Sequence, residues 1–403
     1  MKARVLQVLA TALAALLLWG WQAAMRPAAP EPSNAWPDAV WPVDASAALG
    51  APASPAAAMD WRPVARGHIP MPAHTPAAHA SSLVAMPSAS PASVLAFWFA
   101  GQRESAPDVQ IAFSWFDRAS QAWQPARFVV NKEAMGQSLG FGLRRLGNPV
   151  GWRDAQGRIH LFVVATGLGG WAAGRVLHLK QKEPAALSSK ALDAMTFEAI
   201  RVLPLSWLWN TSHLVRSAPL DLADGGMLLP LYFELGIKYP VAARFGPTGD
   251  FLGLQRLSRR GSLLQPTLLM QDATHWLALL RDHGADRKVA VARTGNAGQD
   301  WQDAPNLSLD NPDASVAGLG LAPGRMLLAY NPSTTGRQRL DLAASRNGTD
   351  WQPMLTLAQG DAQSEYSYPA MAWADGSLWI SYTDQRQRIA WVQLRTAPRG
   401  GTP

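Results

Sequence analysis

The sequence predicts an all-β fold, a six-bladed β-propeller behind an N-terminal targeting segment, and three observations predict it. A phrase of two apolar segments joined by a small polar turn recurs six times at intervals of about 50–70 residues, the self-similarity of a propeller or solenoid. Its segments are short, alternating and rich in Val, Leu, Ile, Trp and Phe, and turns such as Asp-Gly, Asn-Gly and Pro-Gly separate them. Long helical periods are missing, apart from one turn near Ala185–Met195.

From the N-terminus, Lys2 and Arg4 precede an apolar run from Val5 to Ala24, so residues 1–24 read as a signal peptide or signal anchor. Such a run is long enough to cross a bilayer, which takes roughly 20 apolar residues. Residues 25–60, rich in Ala and Pro, read as an unfolded linker, 61–397 as the propeller and 398–403 as a disordered tail. The body is therefore expected to be exported to the periplasm, and held at the inner membrane through residues 5–24 if the segment is an anchor. The six phrases are His79–Gly101, Asn148–Gly167, Ser217–Glu234, Gln265–Asp282, Ser315–Asn331 and Tyr368–Thr383. Each supplies two inner strands of a blade, and outer strands such as Lys288–Thr294 and Leu340–Ser345 follow. The last phrase has one clear strand after it, Arg388–Arg395, so Trp61–Ile69 is expected to complete that blade and close the ring.

Composition narrows the chemistry. The 403 residues include no cysteine, which removes disulfides, thiolate nucleophiles and Cys-ligated metals together. The eight histidines are dispersed without metal-ligand spacing, so neither a metal nor a cofactor is expected. The net charge of +7 is spread through turns with no Lys/Arg block, which argues against nucleic acid as a partner. Gly-rich Thr166–Gly174 joins strands and opens no helix, unlike a dinucleotide fingerprint.

The hairpin geometry locates a site. In an antiparallel pair the start of the first strand lies beside the end of the second. Residues opening the phrases (His79, Asn148, Arg216, Gln265, Tyr368) and closing them (Glu104, Glu234, Arg281, Asp282, Asn331, Thr383, Arg386) should therefore gather on one face around the central channel. Arg281, Arg337 and Arg386 each follow the second strand of a different blade and suit forked hydrogen bonds to a carboxylate, with rim salt bridges as the alternative. Glu234 beside Tyr368 would take the phenol proton and make a nucleophile, the tyrosine variant of glycoside cleavage; a packed Tyr368 and a capping Glu234 are the alternative. Glu104 and Asp108 are the candidate general acids. Asn148 and Gln265 are candidate substrate contacts, and Trp171 would stack on a sugar ring or pack inside a blade.

Two turns, Ser345–Trp351 and Thr294–Trp301, resemble the Asp-box of sialidase-type propellers, Ser-x-Asp-x-Gly-x-x-Trp, with Asn in place of Asp. Together with "HASSLVAM", "FWFAGQRESAPDVQI", "LGNPVGW", "LLPLYFE", "QPTLLM", "LLRD", "RQRLDLAAS", "SYPAMAW" and "YTDQRQRI", they make the chain from about His79 to Val392 resemble the bacterial BNR-repeat sialidase-like family. The resemblance implies a six-bladed sialidase-like propeller acting on glycans that carry an acidic sugar, sialic acid or a uronic acid. It also implies Arg281, Arg337 and Arg386 as the carboxylate-binding triad and Tyr368 with Glu234 as the nucleophile pair. The Phe-Arg-Ile-Pro motif of sialidases is absent, and Arg66–Pro70 echoes it loosely. A non-catalytic glycan-binding propeller anchored at the membrane is the alternative function, and a protein-interaction scaffold a third.

Overall fold

The protein's structure, a computed structural model, describes residues 7, 9–17, 39–42, 45, 60–167, 170–183, 187–207 and 210–396. Six antiparallel sheets follow one another along the chain. Blade 1 comprises Ala77–Ala85, Ala92–Gly101 and Gln110–Asp117, with Ala122–Trp123 and Arg127–Phe128 on its outer edge. Blade 2 comprises Arg145–Arg153, Ile159–Thr166, Arg175–Gln181 and Phe197–Val202. In blade 3 the first strand is broken: His213–Val215 and Leu220–Asp221 both pair with Met227–Leu235, and Ile237–Phe245 and Phe251–Arg256 follow. Blades 4 and 5 are Leu263–Met270, Trp276–Asp282, Ala290–Thr294, Gln302–Ala304 and Ala317–Ala322, Arg325–Tyr330, Arg339–Ser345, Trp351–Gln359. Blade 6 takes Tyr366–Ala374, Ser377–Asp384 and Arg388–Thr396 from the C-terminus and its outer strand, Trp61–His68, from the other end of the body.

That last pairing closes the ring as the strand inventory predicts, with Trp61 opposite Thr396 and His68 opposite Ala390. The first strands of successive blades pack against one another except between blades 3 and 4, where Leu263–Met270 packs on Met227–Leu235 and Ile237–Phe245, so the inner strands line the channel. They and the second strands are buried on both faces, which explains why they read as near-continuous apolar runs in the sequence. The outer strands are mostly half-buried or exposed, as Trp351–Gln359 is.

The core lies between blades. Where blade 6 meets blade 1, Trp379 packs 4.7 Å from Phe116 and stacks 5.6 Å from Trp391, and Trp98 and Trp123 join the same cluster. The Trp379 indole, 1% exposed, donates to the Ala374 carbonyl at 3.2 Å. Truncating Trp379 to Ala leaves a void in the blade that joins the chain's two ends. The expected loss is about 3–5 kcal/mol of stability, read as a lowered urea midpoint.

The Asp-box-like turns are self-bonded, as their composition predicts. Ser345 Oγ accepts the Gly348 amide at 2.9 Å, Asn347 Oδ1 accepts those of Thr349 and Asp350, and the Trp351 indole donates to the Gly348 carbonyl. Gly348 supplies the left-handed φ of 69° that the turn requires. The helical turn expected near Ala185–Met195 is the short helix Ser189–Asp193. A second helix, Lys132–Leu139, is not foreseen by the periodicity; the Asn131 side chain caps it by accepting the Ala134 amide.

Most of the targeting segment, the linker and the tail lie outside the described residues. Residues 9–17 are helical, and among the described residues no helix is long and apolar enough to cross a membrane. Part of the stretch read as an unfolded linker is instead packed on the body. Ala39 bridges Leu222, the Val40 amide donates to the Asp221 carbonyl at 3.0 Å, and Ala45 is buried with Trp61 and Trp373.

A buried polar chain runs through blade 2 and packs against blade 3. His160 Nδ1 and His178 Nε2 are 2.7 Å apart, His160 Nε2 lies 3.0 Å from Asp154 Oδ2, and the His178 ring packs against those of Phe162 and Phe245. Burial, reinforced by the His160 charge, holds His178 down to about 2 from the ordinary 6.5. Its folded value is therefore the lower one. The contribution to stability is complete above pH 6.5 and is lost as pH falls, because only the unfolded chain takes up the proton. Between pH 6.5 and 5 this one group should cost about 2 kcal/mol. Urea unfolding at both pH values should show His178→Phe losing that much less than wild type.

Candidate active site

Four blades open on the same irregularity. The inner-strand register slips between His79 and Ser82, Gly147 and Val150, Leu264 and Thr267, and Ser367 and Ala370. Inside each bulge one non-glycine residue is left-handed: Ala80 (φ 53°), Asn148 (φ 45°), Gln265 (φ 47°) and Tyr368 (φ 53°). In three of them a proline follows, Pro149, Pro266 or Pro369, which has no N–H to give to the ladder. A bulge re-aims a side chain, and holding a bulky residue left-handed costs about 1–3 kcal/mol. Strain repeated at four equivalent positions around one channel mouth marks the functional face.

Tyr368 stands at the centre of that face. Its ring centroid lies 4.3 Å from that of His79, 5.2 Å from the Arg216 guanidinium carbon and 5.8 Å from that of Arg337. Arg281 and Arg386 are near enough for the Tyr368 phenol to act on them electrostatically. Four guanidinium groups, from blade 3, blade 4, the loop leading into the third strand of blade 5, and blade 6, thus surround one phenol.

Each of the three arginines singled out from sequence is held by acids. Arg281 Nε donates to Asp313 Oδ1 at 2.5 Å, and its Nη1 to Gln265 Oε1 at 3.3 Å. Arg337 reaches Glu365 Oε1 at 3.3 Å and the Asp313 carbonyl at 3.0 Å. Arg386 donates to Glu365 Oε2 at 2.7 Å and pairs with Glu104. Burial alone would raise the Glu365 carboxyl, but hydrogen bonds from Arg386 and Ser367 and the charges of Arg386 and Arg337 take it down to about 2. Asp313 is likewise held low against burial by Arg281 and His283, the latter 2.8 Å away. Glu234 differs. Burial raises its carboxyl despite Arg281, Lys238 and His283, so it binds a proton more readily than an ordinary glutamate.

The structure therefore brings together Tyr368, Glu234, Gln265, Arg281, Arg337, Arg386 and Glu104. No side-chain hydrogen bond joins Glu234 to Tyr368 among the described residues. Near both is Tyr232, whose hydroxyl accepts from Gln265 Nε2 at 3.2 Å and whose phenol is raised by burial and by the charges of Glu234 and Tyr368. Asn148 occupies the bulge position of blade 2, 9% exposed. The Trp171 indole donates to Ser105 Oγ at 2.9 Å and packs over Gly147, where a Cβ would come within 2.4 Å of the ring. Asp108 stands apart: its Oδ2 accepts the Gln102 amide at 2.7 Å and closes its own loop. Sequence reasoning missed Asp313, Glu365 and Tyr232, and gave Arg216 and His79 no role beyond their position. Glu365 and Asp313 sit two or three residues before the phrases as drawn from apolar runs, so a window extended to the preceding acid would have found them.

Comparison with known proteins agrees with this architecture. Residues 92–380 match the BNR repeat-like domain. Among solved structures, the Hadza microbial sialidase Hz136 superposes with a TM-score of 0.64 at 16% identity, covering 80% of this chain and 66% of that one. The Trypanosoma rangeli sialidase gives 0.59 at 12% identity, covering 79% and 54%. A protein of unknown function from Dyadobacter fermentans gives 0.61 at 12% identity, covering 84% and 99%. The chain spans just under two thirds of the first sialidase and about half of the second. No curated protein matches it by sequence. At such identities the structural likeness is one of fold, a sialidase-like propeller. Because the family match covers well over half the chain, the protein belongs to the BNR repeat-like family.

Proposed function

We propose that the protein is an exported glycoside hydrolase that removes a terminal acidic sugar, sialic acid or a similar one, from glycans. The observation that carries this reading is the convergence of Arg281, Arg337 and Arg386 on Tyr368. Guanidinium forks recognise a carboxylate, and a tyrosine nucleophile suits a cationic sugar centre that already carries a carboxylate beside it. Substrate carboxylate would take over Arg386 from Glu104, the more exposed of its two acidic partners, while Glu365 keeps the guanidinium in place. The freed Glu104 carboxylate takes up a proton from solvent and is then the general acid. The Tyr368 phenol oxygen attacks the anomeric carbon, its proton passes to Glu234, and the glycosidic C–O bond breaks as Glu104 protonates the leaving oxygen. Water then attacks the same carbon, giving its proton to Glu104, as the bond from that carbon to the Tyr368 oxygen breaks and the departing phenolate regains its proton from Glu234. Export and attachment through residues 5–24 would place this activity in the periplasm, at the inner membrane. Fluorogenic α-sialosides and uronides incubated with the purified protein test the reading, and sugar release that fails with Tyr368→Phe is expected.

A second reading, a glycan-binding propeller without turnover, is favoured by two features. Every arginine of the triad already has an acidic partner, and Glu234 is not hydrogen-bonded to Tyr368. It predicts saturable binding of acidic glycans with no product.

A further inference from the structure

Arg216 is used by no step above, yet it is 2% exposed at the heart of the propeller. Its Nη1 donates to the Ser81 carbonyl at 3.1 Å, and its Nη2 to the carbonyls of Tyr368 at 2.5 Å and Pro369 at 3.0 Å. Among the described residues Nε has no partner, and no carboxylate is paired with the group. Burial pushes the guanidinium down to about 10, opposed by the phenols of Tyr368 and Tyr232. A buried cation without an anion is costly, and an apolar side chain would fill the space at less expense. Something other than packing must account for it.

The three carbonyls supply that account. Ser81 belongs to the bulge of blade 1, Tyr368 and Pro369 to the bulge of blade 6, and each bulge holds a left-handed non-glycine, Ala80 and Tyr368, both at φ 53°. Arg216 comes from blade 3, opposite blade 6, and crosses the channel to reach both. A planar fork with fixed donors sets two bulges in one geometry, which a flexible ammonium cannot do. The same guanidinium also lies by the Tyr368 ring, so backbone and side chain are held by one group.

We propose that Arg216 is a positioning residue for Tyr368: it clamps the left-handed bulge and fixes the phenol among Arg281, Arg337 and Arg386. The inference rests on Tyr368 being the nucleophile. Displacing a nucleophile by about 1 Å can cost about 10²-fold in turnover without changing what binds. Arg216→Met should therefore lower kcat by about 10²-fold while KM stays within about threefold. Lysine keeps the charge and should recover part of the loss.

The experiment pairs kinetics with 13C NMR of the full chain labelled at tyrosine Cζ. Six tyrosines give the signals, and Tyr368→Phe identifies that of Tyr368. The expected result is a Tyr368 signal that moves in Arg216→Lys, and further in Arg216→Met, with an unchanged Tyr366 signal. Should Arg216→Met not fold, Arg216→Lys decides alone. A Tyr368 signal and kcat that stay at wild-type values in a folded variant overturn the proposal. So does a variant that loses thermal stability while the Tyr368 signal stays put, because Arg216 is then structural only. If wild type cleaves no acidic glycoside, the hydrolase reading fails, and the Tyr368 signal still decides whether Arg216 positions it.

Discussion

Tyr368→Phe is expected to lower kcat on an acidic-sugar glycoside by about 10³-fold or more, with the thermal midpoint within about a degree of wild type. The phenol oxygen is the only group lost. The ring contacts with His79, Arg216 and Arg337 involve the aromatic face and survive in phenylalanine. Nor does the left-handed backbone depend on the hydroxyl, since it is held through the Tyr368 carbonyl. Steady-state kinetics alongside a melting curve read both quantities. Substantial retained turnover would remove Tyr368 from the chemistry whatever the fold.

The second large effect is expected at Arg281. Arg281→Met strands Asp313, which keeps His283 but loses a mostly buried partner. Breaking such a pair should cost about 3 kcal/mol of stability, the low end for a buried ion pair because His283 remains. Binding of the substrate carboxylate should weaken at the same time. Removing both charges in Arg281→Met/Asp313→Asn, where Asn tolerates the left-handed φ of 59° at this position, should recover most of the stability, since no buried charge is then left stranded, and recover none of the activity. Urea unfolding and kinetics on the single and double variants separate the two roles. Recovery of activity with stability in the double variant would show that Arg281 serves only the fold.

Much of this was legible in the sequence because it is local. Alternation and turn chemistry gave the strands, and a last phrase short of an outer strand pointed to Trp61–Ile69 as the closure. Tyr368, Arg281 and Arg386 were legible because each sits at a strand end, where the hairpin rule brings them to one face. The bulges were not, because a bulge is a property of pairing register, although the recurrent Asn148-Pro149, Gln265-Pro266 and Tyr368-Pro369 pairs are their trace. Asp313 and Glu365 were hidden for another reason. They act on arginines 32 and 21 residues away, across loops whose course no local pattern reveals. The helix Lys132–Leu139 escaped because its apolar face is weak and its cap, Asn131, carries the signal instead. Asp108 was a candidate acid as a carboxylate in the same segment as Glu104, yet its carboxylate is spent on the Gln102 amide.

The most direct test of the central claim is a substrate panel. Purified full-length protein is incubated with fluorogenic glycosides of sialic acid, a uronic acid and the matching neutral sugar, with Tyr368→Phe as control. The account predicts release from an acidic glycoside only, absent in the variant. Release from none of the acidic glycosides, or equal release from the neutral one, would contradict it.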